Sequence, residues 1–110
     1  MPFFHYSQNN SGGHFYGPAR HVVVEADNAQ EANDRAQEHD VYFDGVHAGV
    51  DCRCCGDRWH PSGYEEEGTE EPSVYGDSVL DYLGSKYNRS RANMPSVAVF
   101  YADGSEKVYP

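Results

Sequence analysis

Isoleucine is missing from this sequence, and leucine occurs only at Leu80 and Leu83. A hydrophobic core must therefore come from eleven valines and fifteen aromatics. β-Branched and aromatic residues favour pleated sheet, so the core reads as sheet-rich with thin helices laid on it. No apolar run approaches the length of a membrane span, which excludes a helical membrane protein. Met1 to Phe4 runs straight into His5 and Gln8 without a basic region or an apolar core, so the start does not read as a signal peptide. The motifs G-x-S-x-G and H-E-x-x-H and the dinucleotide-binding fingerprint are all missing, leaving no recognisable catalytic signature.

Basic residues are scarce too: eight Lys and Arg stand against eighteen Asp and Glu, a formal charge of −10. The imbalance is concentrated, because residues 25–81 hold sixteen of the carboxylates against Arg35, Arg53 and Arg58. Such a middle repels phosphate backbones, so no direct nucleic-acid contact and no membrane contact is expected. It suits a basic partner, including the nucleic-acid-binding surface of another protein. The bland alternative is that acidity only keeps a small protein soluble.

Cysteine is present three times, at Cys52, Cys54 and Cys55, an odd number with two adjacent, which suits reduced thiolates and a cytoplasmic setting. Cys52 and Cys55 form a C-x-x-C followed by Gly56, the turn chemistry of a metal knuckle. His47 precedes it and His60 follows it at local spacing, so Cys52, Cys55, His60 and His47 could complete a tetrahedral shell. Cys54 could replace one histidine, although adjacent Cys54 and Cys55 would strain a shared centre. The expected cofactor is a structural zinc, because nothing argues for an open coordination position. The competing reading is reduced cysteines in a turn beside two ordinary surface histidines. Trp59 is expected to pack over the knuckle. Nucleophilic catalysis by Cys54 or Cys55 beside a histidine lacks partners at recognisable spacing.

Along the chain, Phe3 to Gln8 reads as a first strand, with Phe3 and His5 on one face and Phe4 and Tyr6 on the other. Asn9 to Gly13 is turn chemistry between antiparallel strands. The second strand is strongest over His21 to Glu25, after a bend at Gly17-Pro18. Asp27 is a candidate cap for a helix with Gln30 at its third position, and Ala29, Ala32 and Ala36 line its narrow face. Val41 to Phe43 reads as a short strand. Glu65 to Glu71 is an acidic run, read as a solvated loop or a contact surface. Asp77 or Ser78 caps a second helix with Val79, Leu80, Leu83 and Tyr87 inward, and Asn88 to Pro95 is a polar connection. The end is a hairpin whose two-residue Asp103-Gly104 turn would pair Ala102 with Ser105 and Val99 with Val108. The order predicts an α+β fold in one domain spanning 1–110: a mostly antiparallel sheet, two short helices on one face, and a Cys-rich zinc-binding loop (44–72) as an insertion.

Several strings carry a resemblance. Pro2 to Phe4 with Gln8 to Gly13, then Tyr42 to Gly45, the D-C-x-C-C-G-D-R-W string from Asp51 to Trp59, and Val74 to Gly76 resemble a family of short, uncharacterised tailed-phage proteins. The resemblance implies a phage gene product acting in the cytoplasm of an infected bacterial host, with no assigned activity. The expected function is that of a zinc-stabilised accessory protein acting on a host or phage protein. A small metal- or cysteine-dependent enzyme and a minor virion component are the competing expectations.

Overall fold

The computed structural model describes residues 1–8, 17–49, 56–63, 65–84 and 94–109. The expected loop at Asn9 to Gly13, the three cysteines, Tyr87 and most of the connection after Asn88 lie outside the described residues.

Strands β1 (Phe3–Ser7), β2 (His21–Glu25), β5 (Val97–Phe100) and β6 (Glu106–Tyr109) form one sheet in the order β1-β2-β5-β6. Helix α1 (Ala29–Glu38) follows β2. A two-stranded ribbon, β3 (Ser73–Val74) with β4 (Asp77–Ser78), leads into α2 (Val79–Leu83). The fold is α+β, but its sheet is mixed. The outer pairs are antiparallel, whereas β2 and β5 run parallel, with His21 opposite Val97 and Val24 opposite Phe100. Parallel neighbours need a long crossover, and the connection carrying both helices supplies it.

The helices lie on opposite faces, correcting the one-sided expectation. Phe4, Tyr6, Val22, Val24, Ala98 and Phe100 pack with Ala29, Ala32 and Ala36 of α1. Phe3, Val23, Val97 and Val99 pack with Val79 and Tyr82 of α2. The central strands are covered on both sides, which is why Val22, Val23 and Val24 form an unbroken apolar run without alternation. The alanine stripe of α1 is buried as its spacing predicts, because small side chains let the helix sit close to the sheet.

Four local details differ from the sequence reading. The cap of α1 is Asn28, not Asp27: its side chain accepts the Glu31 N–H at 2.9 Å. Ser78 does cap α2, accepting from Asp81 N–H, but Leu80 points outward at 71 % exposure and Tyr82 takes the inner position. Val41 to Phe43 is not a strand. The Val41 N–H donates to the Ala36 carbonyl at the end of α1, and Val41 joins the α1-side core, against which Tyr42 and Phe43 pack.

The terminal hairpin is shifted by one residue, so Val99 faces Lys107 and Ala98 faces Val108. Both main-chain N–H groups needed for an Ala102–Ser105 pair are taken by carboxylates: Ala102 N–H donates to Glu25, and Ser105 N–H donates to Asp103. The chain instead turns through Ala102-Asp103-Gly104, closed by Gly104 N–H on the Tyr101 carbonyl, with Gly104 at φ +92°. A type I turn followed by a left-handed glycine is the usual three-residue hairpin.

Candidate functional site

Strand β1 is an edge of the sheet, and its two faces and two main-chain sides have separate roles. The Ala26 N–H bonds to the Pro2 carbonyl, which sets the phase: Pro2, Phe4 and Tyr6 turn their main-chain groups toward β2. Phe3 and His5 turn theirs outward. Phe3 is met there by Thr69, the two residues exchanging both N–H···O bonds at 2.9 Å. Further along, Gln8 bridges to Trp59. Between these points, no described residue bonds to the His5 main-chain groups. They open into a groove of about 390 Å³ bordered by Ser62, Glu66, Thr69, Ser73 and Tyr75.

Each wall is held by a specific device. Asn33, projecting from α1, clamps the wall at 60–63: its side-chain oxygen accepts from Ser62 N–H (2.8 Å) and Tyr6 O–H (2.7 Å), and its Nδ2 donates to the Ser62 carbonyl (3.0 Å). Burial pushes the Tyr6 hydroxyl up to about 12, so it remains a donor at any physiological pH. The wall at 66–69 depends on Gly68, which has φ +75° and lies so close to β1 that a Cβ there would sit 2.7 Å from the Phe3 carbonyl oxygen. The third wall is the β3–β4 turn, where Tyr75 (φ +53°) and Gly76 (φ +85°) both take positive φ, as a type I′ turn requires. A tyrosine in that conformation is sterically costly, and here it carries its ring over the site.

Beneath the groove lies a chain of aromatic polar groups. His5 Nε2 and His21 Nδ1 are 3.0 Å apart, and His21 Nε2 is 3.0 Å from the Tyr82 hydroxyl. Tyr75 meets both imidazoles edge-on, at centroid distances of 4.9 and 5.4 Å. Burial, with His21 adjacent, holds His5 down to about 3. Burial and the Arg20 charge hold His21 down to about 4. Both rings are neutral at physiological pH, so each offers one N–H and one lone pair. The contacts fit two proton arrangements: His5 donates to His21, which donates to Tyr82, or the order runs in reverse. Both His21 nitrogens are engaged, and an ion at Nδ1 would have to break the bond to His5. The pair is built as a hydrogen-bonded strut.

The residues expected to hold zinc are distributed differently. Cys52, Cys54 and Cys55 lie outside the described residues. His47 is exposed in the turn after Asp44, and His60 is exposed at the groove rim. The segment carrying the cysteines is pinned at its base, where Val46 N–H donates to Asp57 at 2.9 Å. Among the described residues, no three His, Cys, Asp or Glu side chains converge to hold a metal. Trp59 is fully buried in the α1-side core against Gly17, and its Nε1–H has no hydrogen-bond partner among the described residues. Within the stretch 44–72, Trp59 and Thr69 bridge to the β1 segment, at Gln8 and Phe3.

Glu65, Glu66, Glu67, Glu70 and Glu71 are all exposed, and Glu66 lines the groove. Among the described residues the ion pair is Arg35 with Glu31, and no basic side chain pairs with any of these five. What sequence reasoning missed is the His5–His21 contact. His5 was legible as a face residue beside Phe3, but its partner follows only from the β1–β2 register, which sets Ser7 opposite His21. No described helix is long and apolar enough to cross a membrane. No curated protein and no solved structure matches the chain. A family described as "Domain of unknown function (DUF7296)" matches residues 1–110, and the chain belongs to it.

Proposed function

We propose that this protein is a small, acidic, phage-encoded accessory protein that acts in the host cytoplasm by binding a host or phage protein with a basic surface. The observation that carries the reading is the acidic strap. Five exposed carboxylates within seven residues lie beside an open sheet edge, with no cation of the described residues to neutralise them. Like charges held together this way raise the energy of the free protein, and a cationic partner relieves it. A basic nucleic-acid-binding surface is the version that the charge favours most.

The test is capture of basic proteins from bacterial lysate on the immobilised protein, against a Glu66→Lys/Glu67→Lys/Glu70→Lys variant. Capture should fall with charge reversal, and also as salt rises, because the Debye length shrinks from about 30 Å at 0.01 M to about 10 Å at 0.1 M. Capture indifferent to both would overturn the reading.

Zinc enters as a structural element of the same proposal. Cys52 and Cys55 are its ligands, completed by His60 and His47 or with Cys54 in place of a histidine. The pinned base at Val46 and Asp57 and the C-x-x-C-G spacing support it. Purified protein should carry one equivalent of zinc, and Cys52→Ser should lose it.

A second reading, a small enzyme, draws on His5, which lies at the groove with a hydrogen-bonded relay behind it. Against it stands the basicity of the pair. A general base works best with its pKa near the working pH, and both imidazoles are held far below that. The binding role is therefore preferred.

A further inference from the structure

We propose that the groove beside β1 is a strand-docking site, in which a short, extended, cationic segment of a protein partner pairs with the main chain of His5 and sets a lysine or arginine against Glu66. The inference rests on the binding role proposed above and names its site and mode.

Four observations carry it. First, this edge already accepts strand-like partners from its own chain: Thr69 pairs with Phe3, and Trp59 bridges to Gln8. Between them lie the outward-facing N–H and C=O of His5, one unit of the same ladder that no described residue fills. Second, the two sheet edges differ. The opposite edge, β6, presents exposed Glu106 and Lys107, the kind of charged side chains that discourage added strands, whereas β1 carries no charged residue. Third, the size suits a peptide. Known ligand pockets run from roughly 300 to 1,000 Å³, so a groove of about 390 Å³ admits a few extended residues and little more. Fourth, the chemistry of the walls suits a cation. Glu66 lines one wall, and Tyr75, 67 % exposed, offers an aromatic ring on another. The His5 imidazole in the lining is neutral and does not repel a positive charge. A second copy of this chain fits the edge but not the charge, since each copy carries −10. Strand addition derives affinity from main-chain bonds and specificity from alternate side chains, which matches these walls.

The probe is a fluorescent hexapeptide alternating valine and lysine with blocked ends, compared with the same peptide N-methylated at alternate main-chain nitrogens. The two carry equal charge, but the second cannot complete the ladder. The unmethylated peptide should bind in a fluorescence-anisotropy titration, the methylated one at least about tenfold more weakly, and Glu66→Lys should weaken binding severalfold. Amide exchange at His5 should slow on addition of the peptide. Equal binding of the two peptides would overturn strand docking while leaving acidic capture intact. Basic proteins captured from lysate with neither peptide bound would place the contact elsewhere. Loss of both would end this inference and the role beneath it. Slow His5 exchange without peptide, with a dimer in sedimentation, would assign the edge to a second copy and overturn the peptide.

Discussion

His5 and His21 are neutral in the folded protein because burial denies their charged forms water, and because each ring completes the other's hydrogen bonds. This sets a pH dependence of stability. Unfolded histidine titrates near 6.5, whereas the folded pair titrates at about 3 and about 4. Above 6.5 neither state binds these protons, and the pair contributes no slope. Between 6.5 and about 4 the unfolded state binds more protons, so stability falls as pH falls; below about 3 the slope ends. Each proton contributes about 1.4 kcal/mol per pH unit in that window. Urea denaturation at pH 7, 6 and 5 should show this slope, and His5→Gln should lose about one proton's share of it. Asn33 is a second sensitive point. Its side chain serves Tyr6 and both main-chain groups of Ser62, so Asn33→Ala leaves three groups to find water or go unpaired. It should cost roughly 1–3 kcal/mol and speed amide exchange at Ser62.

At the scale of elements, two left-handed glycines separate conformational strain from steric exclusion. Gly104 in the terminal turn has φ +92° with open space where a Cβ would go, so Gly104→Ala should cost only about 1–2 kcal/mol of backbone strain. Gly68 has φ +75°, and its Cβ would meet the Phe3 carbonyl at 2.7 Å and Pro2 at 2.9 Å. Gly68→Ala should cost clearly more in thermal denaturation and loosen the Thr69–Phe3 pair, seen as faster exchange at the Phe3 amide. Equal penalties at the two sites would refute the close approach. The hairpin register has a different, long-range cause. Composition shows an Asp-Gly turn, but the choice between two and three loop residues falls to Glu25, seventy-seven positions from Ala102, which takes the Ala102 N–H.

At the scale of the whole molecule, charge sets the behaviour. With −10 spread unevenly, repulsion within the acidic middle opposes folding, and added salt should raise the melting temperature over the first few tenths molar before levelling off. A melting temperature falling with salt would mean that attractive pairs dominate instead. The proposed zinc is tested at this scale as well, because a structural ion couples binding to folding. Chelation should lower the melting temperature of the native protein and leave Cys52→Ser unchanged.

Six of the eight elements were legible from residues close in sequence, but the β3–β4 ribbon was not foreseen, Val41 to Phe43 is not a strand, and the terminal turn holds three residues instead of two. Alternation marked β1, a valine run marked β2, alanines every three or four residues marked α1, and a serine marked the cap of α2. Carboxylate density likewise marked the strap of the candidate site. The neighbours of each element were not legible. Side-chain periodicity records which face is apolar, but not which distant strand will lie beside it or in which direction that strand runs. The parallel β2–β5 pair, the placement of the helices on opposite faces, the His5–His21 contact and the groove at His5 were decided by tertiary packing. Each depends on pairing and burial energies between segments far apart in the chain, which no local window contains.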